Sequence, residues 1–324
     1  MSKKLLIVQT LSSKLSDSFV FSTSFETIYK NVGLDISEFI HLIYLDENNV
    51  LGDVSFLAKQ IESSNENVVL KDSIGSWAKD INDAIDFAQG EFEYIAIFHD
   101  DVFIRCDSWF NIIEKNVKNI DNVGVITSTC TTYKKTRSPI TPCRDGFYKD
   151  VLDGAWNKGV AFQFHNLPDN WGREKIYSEW TESEEALLDY PSGPVKIFSS
   201  WSAVMVLKTE NASNISKIED WTPWTLLNEL DYNIEAMKSG YYNCWIPEFL
   251  TEHHRSNYIN PSTRSAAMIR EYRDIAHSSF LKKWGFCHDP ARENIESVKK
   301  ELSGSIMSEF VDTFNSYDWR YFNV

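Results

Sequence analysis

The run Tyr94-Ile95-Ala96-Ile97-Phe98, apolar at every position, leads without a break into His99-Asp100-Asp101. A strand that is apolar on both sides of its pleat has to be covered on both faces, which helices laid over a parallel sheet achieve. The neighbouring sequence alternates to match. Leu5 to Val8 reads as a first strand. Phe25, Ile28, Tyr29 and Val32 recur at helical spacing, and Phe39 to Leu45 reads as a second strand ending at Asp46. A helix over 54–61 and a short strand Val68-Val69-Leu70 follow, then a helix carrying Trp77, Ile81, Ala84, Ile85 and Ala88 that stops at Gly90. Beyond the central run, Trp109 to Val117 is helical and Val123 to Ile126 extended. Strand and helix in strict succession predict an α/β fold: a Rossmann-like, mostly parallel central sheet flanked by helices. Such sheets bind ligands beyond the carboxyl ends of their strands, and the Asp pair stands at one of those ends.

From about residue 127 to 194 this pattern gives way to a stretch rich in Thr, Pro, Gly, Asp, Asn and Trp. A long irregular segment in a compact domain usually serves a site, so it is expected to line or cover the substrate side. Order returns at Val195 to Phe198 and Ala203 to Leu207, both extended, then in a helix from Trp224 to Lys238 closed by Ser239-Gly240. A strand from Tyr241 to Ile246 is expected to stop at Pro247. The division that follows is an α/β domain over 1–256 and a mainly helical extension over 257–324.

Charge and cysteine usage remove some functions. A formal net charge of −15 opposes the phosphate-driven attraction behind general nucleic-acid binding, so none is expected. No apolar stretch approaches the ~18 residues of a spanning helix, and the run after Lys4 is too short for a secretory signal. Cys106, Cys130, Cys143, Cys244 and Cys287 are odd in number and lack metal-binding spacing, which suits reduced thiols in a cytoplasmic protein.

Two adjacent carboxylates after a buried strand repel one another. A divalent cation bridging a diphosphate relieves that repulsion, and Mn²⁺ or Mg²⁺ takes one or two carboxylates together with substrate phosphates. The plain alternative is a solvated Asp-Asp turn.

Further features occur in order. Ser24-Phe25-Glu26-Thr27-Ile28 sits on the first helix; Asn82 and Ala88-Gln89-Gly90-Glu91 precede the central strand. Asn228-Glu229-Leu230-Asp231, Ser239-Gly240-Tyr241, Trp245-Ile246-Pro247 and His253-His254 follow it. With this order and spacing, residues 4 to 256 resemble the inverting family 2 glycosyltransferases of the GT-A fold, which carry a D-x-D or D-D-D motif after the strand and an acidic helix start downstream. The resemblance implies a metal-dependent transfer of a sugar from a UDP-, GDP- or dTDP-linked nucleotide-sugar donor to the hydroxyl of a saccharide, lipid-linked or other acceptor. It implies that Asp101 holds the metal and that Asp100 supports the metal or the ribose. His99 replaces the commoner Asp there and is a candidate for nucleotide contact. Asp46, Lys79 and Asn82 would meet the nucleotide, and His253 or His254 would complete the metal shell or bind diphosphate. Glu229 aligns with the catalytic base, with Asp231 in reserve. A carboxylate suits that task, since the attacking hydroxyl must lose a proton.

Bland readings stand beside these. Glu229 and Asp231 also suit the electropositive start of a helix, His253-His254 a surface pair, and Asp46 a turn. His165, His277 and His288 have no partners in sequence and read as structural. Trp156, Trp171, Trp180 and Trp201 suit sugar stacking or core packing, and the basic run 134–137 a donor phosphate or a solvated loop. Two other functions compete: a nucleotidyltransferase, opposed by the lack of glycine in Gln9-Thr10-Leu11-Ser12-Ser13-Lys14, and a non-catalytic carbohydrate-binding or scaffold protein on a degenerate transferase fold.

Overall fold

The computed structural model describes residues 3–11, 18–48, 50–132, 193–197, 200, 203–223, 227–253 and 266–284. The first six elements alternate as their periodicities predict: β1 (Lys3–Leu11), α1 (Ser18–Lys30), β2 (Phe39–Leu45), α2 (Gly52–Ser64), β3 (Val68–Asp72) and α3 (Trp77–Ala88). There follow β4 (Phe92–His99), β5 (Val102–Ile104), α4 (Trp109–Val117), β6 (Val123–Thr132), β7 (Val195–Ile197), β8 (Val204–Lys208), a short α5 (Thr209–Ala212), α6 (Asn228–Lys238), β9 (Tyr242–His253) and α7 (Ala266–Trp284).

All nine described strands join one sheet in the order β3-β2-β1-β4-β8-β6-β9-β5, with β7 also on β9. The β3-β2-β1-β4 half is parallel throughout. β8 enters antiparallel between β4 and β6, and β6 and β9 run parallel to each other. Because β1 leads to β2 on one side while β4 lies on its other side, the connections reverse between β1 and β4. The carboxyl ends of β1 and β4 therefore mark the switch point at which such sheets take ligands.

Each face of the sheet has its own core. Leu5, Ile7, Tyr94, Ala96 and Phe98 meet Ile28 of α1 and Trp109, Phe110 and Ile113 of α4. Leu6, Val8, Ile95 and Ile97 meet Trp77, Ile81 and Ile85 of α3 and Tyr232 and Ala236 of α6. Trp109 is fully buried, donates its indole N–H to the Ile28 carbonyl at 2.9 Å and stacks on Phe249 at 5.8 Å. That one side chain ties α1, α4 and β9 together. Ser76 caps α3 by accepting the Lys79 backbone N–H at 3.2 Å. Gly33 ends the α1 turn at φ +80, and a Cβ there would stand 2.7 Å from that of Ser108, so the approach of α4 requires glycine.

Two boundaries differ from the sequence expectation. β9 does not stop at Pro247 but continues to His253. Its pairing with β6 jumps from Ser128↔Ile246 to Thr129↔Leu250, so Pro247 sits in a bulge, where its missing N–H breaks no ladder bond. β6 correspondingly extends to Thr132, beyond the expected end at Ile126. Of segment 127–194, residues 127–132 and 193–194 are described. Trp156, Trp171, Trp180, Trp201, run 134–137 and His254 lie outside the described residues. Among those described, no helix is long and apolar enough to cross a membrane.

Candidate functional site

β4 ends at His99, which pairs with Thr10 near the end of β1, at the switch point just described. Asp100 and Asp101 form the turn, and the chain then enters β5, which pairs antiparallel with β9. Val102 stands opposite His253, so Asp101 emerges beside that imidazole, its Oδ1 2.9 Å from His253 Nε2. Both side chains are largely buried, 15% and 8% exposed. The His99 ring lies edge-on to His253, centroids 5.5 Å apart.

One ligand-capable atom from each of His99, Asp101 and His253 lies within 4.8 Å of the others. Neighbouring ligands about 2.1 Å from an octahedral ion stand roughly 3 Å apart, which the Asp101–His253 spacing matches. The donor set, one carboxylate oxygen and two imidazole nitrogens, fits a divalent ion and departs from the all-oxygen shell that Mg²⁺ prefers. Asp100 is half-buried in the turn and does not belong to this group. His99, which the sequence reading set against the nucleotide, does.

The other residues singled out in the sequence fall elsewhere. Asp46 follows β2; its N–H reaches the Leu11 carbonyl at 2.9 Å and its carboxylate accepts the Asn48 N–H at 3.2 Å, a turn-forming arrangement. Asn82 donates to the Ile218 carbonyl at 2.8 Å and accepts the Ile218 N–H at 2.9 Å. Both ends of its amide are therefore engaged in fastening α3 to the segment after β8. Lys79 is half-exposed and pairs with Asp220 at 2.9 Å. The neighbouring Asp80, which the sequence reading passed over, is fully buried. It accepts the Ile74 N–H at 2.7 Å and the Ser73 hydroxyl at 2.8 Å, ordering the loop after β3. Burial pushes its carboxyl up to about 6. Nothing in its spacing set it apart from an ordinary first-turn acid of a helix.

Leu227, just before α6, has a φ of 63, a costly conformation for a bulky side chain. The Asn228 amide then donates to the Glu219 carbonyl. Glu229 is half-buried, one turn ahead of Asn233, whose amide donates to its carbonyl. Asp231 is fully buried. Its Oδ1 accepts from Lys283 Nζ and from the Trp284 indole N–H, each at 2.8 Å. Burial pushes its carboxyl up to about 6 although Lys283 pulls the other way. Lys283 also reaches Glu235 at 2.9 Å and Glu219 at 3.3 Å, so α7 ends clamped on α6. Asp231 is thus engaged by the C-terminal helix, while Glu229 stands half-buried in the first turn of α6.

No family model matches the chain, and no curated protein sequence does. Solved structures do. The mannosyltransferase PcManGT from Pyrobaculum calidifontis, in complex with GDP-Man and Mn²⁺, aligns over 98% of this chain and 74% of its own, with TM-score 0.51 and 10% identity. GalNAc-T7 with UDP, GalNAc and Mn²⁺ aligns over 98% of this chain and 55% of its own, with TM-score 0.56 and 10% identity. The chain therefore spans just over half the length of the second. At this identity the likeness establishes the fold, and the chain has the GT-A fold.

Proposed function

We propose that the chain is a glycosyltransferase that uses a nucleotide-sugar donor and a divalent metal, Mn²⁺ before Mg²⁺. The observation that carries this reading is the convergence of His99, Asp101 and His253 at the carboxyl ends of β1 and β4. His99 and Asp101 come from one strand end and His253 from another, so an ion held there would be fixed from two sides. When bound, a divalent ion supplies positive charge to the departing nucleoside diphosphate. The chain's own groups do the rest. Asp101 supplies an oxygen ligand and the imidazoles of His99 and His253 supply nitrogen. Glu229, at the start of α6, takes the proton from the acceptor hydroxyl. One base and one electrophilic clamp suffice for a single inverting displacement, the stereochemistry this reading carries. The donor classes are UDP-, GDP- and dTDP-sugars; the acceptor is a hydroxyl of a saccharide, lipid-linked or other molecule. Both GT-A neighbours were captured with a nucleotide and Mn²⁺, which supports the donor and the ion. We assign residues 1–256 to the catalytic domain.

A second reading has one observation behind it. Asp101 and His253 bond directly to each other, a contact that holds without an ion, as in a non-catalytic carbohydrate-binding protein on this fold. Mn²⁺-dependent release of nucleoside diphosphate from a panel of UDP-, GDP- and dTDP-sugars separates the two. Release with Mn²⁺ and none with chelator supports the transferase, while no release and no metal-dependent nucleotide binding favours the second reading.

A further inference from the structure

β5 is three residues long and ends the sheet, yet it carries the register that sets Asp101 beside His253. A terminal strand this short has one edge zipped to its neighbour and one edge of unpaired backbone groups. Here side chains of α1 replace the missing strand. The Ser24 hydroxyl donates to the Val102 carbonyl at 2.7 Å, and the Thr27 hydroxyl accepts the Ile104 N–H at 3.1 Å. These are alternate residues of β5, the spacing a neighbouring strand would use. Meanwhile Arg105 donates its N–H to Leu250 of β9 at 2.9 Å.

A third side chain completes the arrangement. Gln9 falls on the α1 side of β1, the pleat it shares with Leu5 and Ile7, where an aliphatic residue would pack without cost. It is fully buried. Its amide donates to Ser24 Oγ at 3.0 Å and to the His99 carbonyl at 3.4 Å. Ser24 gives its proton to Val102, so its oxygen can only accept from Gln9, and the His99 carbonyl can only accept. Both neighbours demand the NH₂ end, which leaves Gln9 Oε1 buried with no hydrogen-bond partner among the described residues. A buried acceptor left unsatisfied carries its desolvation penalty uncompensated. The return is that one relay grips both ends of the Asp100–Asp101 turn, at the carbonyls of His99 and Val102.

We propose that Gln9, Ser24 and Thr27 are positioning residues for the metal group, holding β5 in register so that Asp101 meets His99 and His253. This rests on the metal-site reading above. None of the three touches the ion; they act through the backbone of the turn and of β5.

The test is a titration of the full chain with Mn²⁺, followed by loss of the free-ion electron paramagnetic resonance signal, alongside the melting temperature. Ser24→Ala and Gln9→Met are expected to bind Mn²⁺ about tenfold or more weakly, a loss of the size that supporting-shell changes cause. Thr27→Val, at a half-buried position, should weaken binding about threefold, and Thr27→Ser, which keeps the hydroxyl, should bind as wild type does. Asn211→Ala is the control. It removes hydrogen bonds to the Asp121 and Val123 carbonyls at the opposite end of β6, and is expected to lower the melting temperature but not the affinity. The proposal is overturned if the clamp variants bind within twofold of wild type, or if Asn211→Ala weakens Mn²⁺ as much as they do. If the two buried variants do not fold, the Thr27 pair decides by the same criterion. A wild-type chain that leaves the Mn²⁺ signal unchanged overturns the metal-site reading and the clamp together; normal wild-type binding with unaffected variants overturns the clamp alone.

Discussion

Val102 stands directly across from His253 in the antiparallel pairing of β5 with β9, and from that register point follows the 2.9 Å contact between Asp101 and His253. A slip of one residue would turn every side chain of β5 to the other face and carry Asp101 out of reach.

Asp101→Ala and His253→Ala should each weaken Mn²⁺ binding more than about 100-fold, beyond the loss expected from a supporting residue. Metal-dependent binding of a nucleoside diphosphate should vanish with it. Titration calorimetry with Mn²⁺, then with UDP and GDP in its presence, reads both; unchanged affinity in either variant removes that residue from the site.

Glu229→Gln keeps the shape of the side chain but cannot accept the hydroxyl proton. Donor binding should stay within about twofold, while transfer falls about 10²–10⁴-fold, the usual worth of a positioned base. Full turnover in this variant would move the base elsewhere on the chain.

Lys283→Met leaves the buried Asp231 without its cation. The loss should be about 2–4 kcal/mol by chemical denaturation, toward the lower end because Lys283 is 23% exposed. The sign of the pH effect follows from the raised Asp231 value. A carboxyl that folding pushes up, here from 3.8 to about 6, favours the fold below its unfolded value and loses that contribution as pH rises through the folded one. The variant should therefore be less impaired at pH 5 than at pH 7.5. An equal deficit at both would show that Asp231 is not the group left exposed to the change.

His41 is fully buried on β2, stacked on Phe25 at 5.0 Å, and neither ring nitrogen has a hydrogen-bond partner among the described residues. Burial lowers its basicity from 6.5 to about 3. Between those values the unfolded chain binds a proton that the folded chain refuses, so stability declines as pH falls below about 6.5. His41→Leu should flatten this part of the stability profile and raise stability at pH 7 by about 1 kcal/mol, since an unpartnered polar group is removed. Thermal melts from pH 7 to pH 5 test both; a variant with the wild-type slope would assign the acid sensitivity to other groups.

The alternating strands and helices, and a polar motif at the end of a doubly buried strand, were legible from residue types alone. Helical spacing such as that of Trp77, Ile81 and Ile85, or an unbroken apolar run such as Tyr94 to Phe98, reports the burial of an element through its own few residues. The Asp pair was legible for the same reason, because its cost follows from local charge and the strand before it.

The composition of the site was decided by contacts between distant parts of the chain. β5 has three residues and no period of its own; it exists because residues 251–253 pair with it. β9 reaches His253 because β6 resumes pairing beyond the Pro247 bulge, so His99 and His253 meet although about 150 positions separate them. Asp231 reads as the reserve to Glu229 until Lys283 and Trp284 arrive from the C-terminal helix and bury it. Elements follow from local periodicity, which any short window of sequence contains. Which side chains share a site follows from strand register and helix docking, and these are settled only when the whole sheet closes around its core.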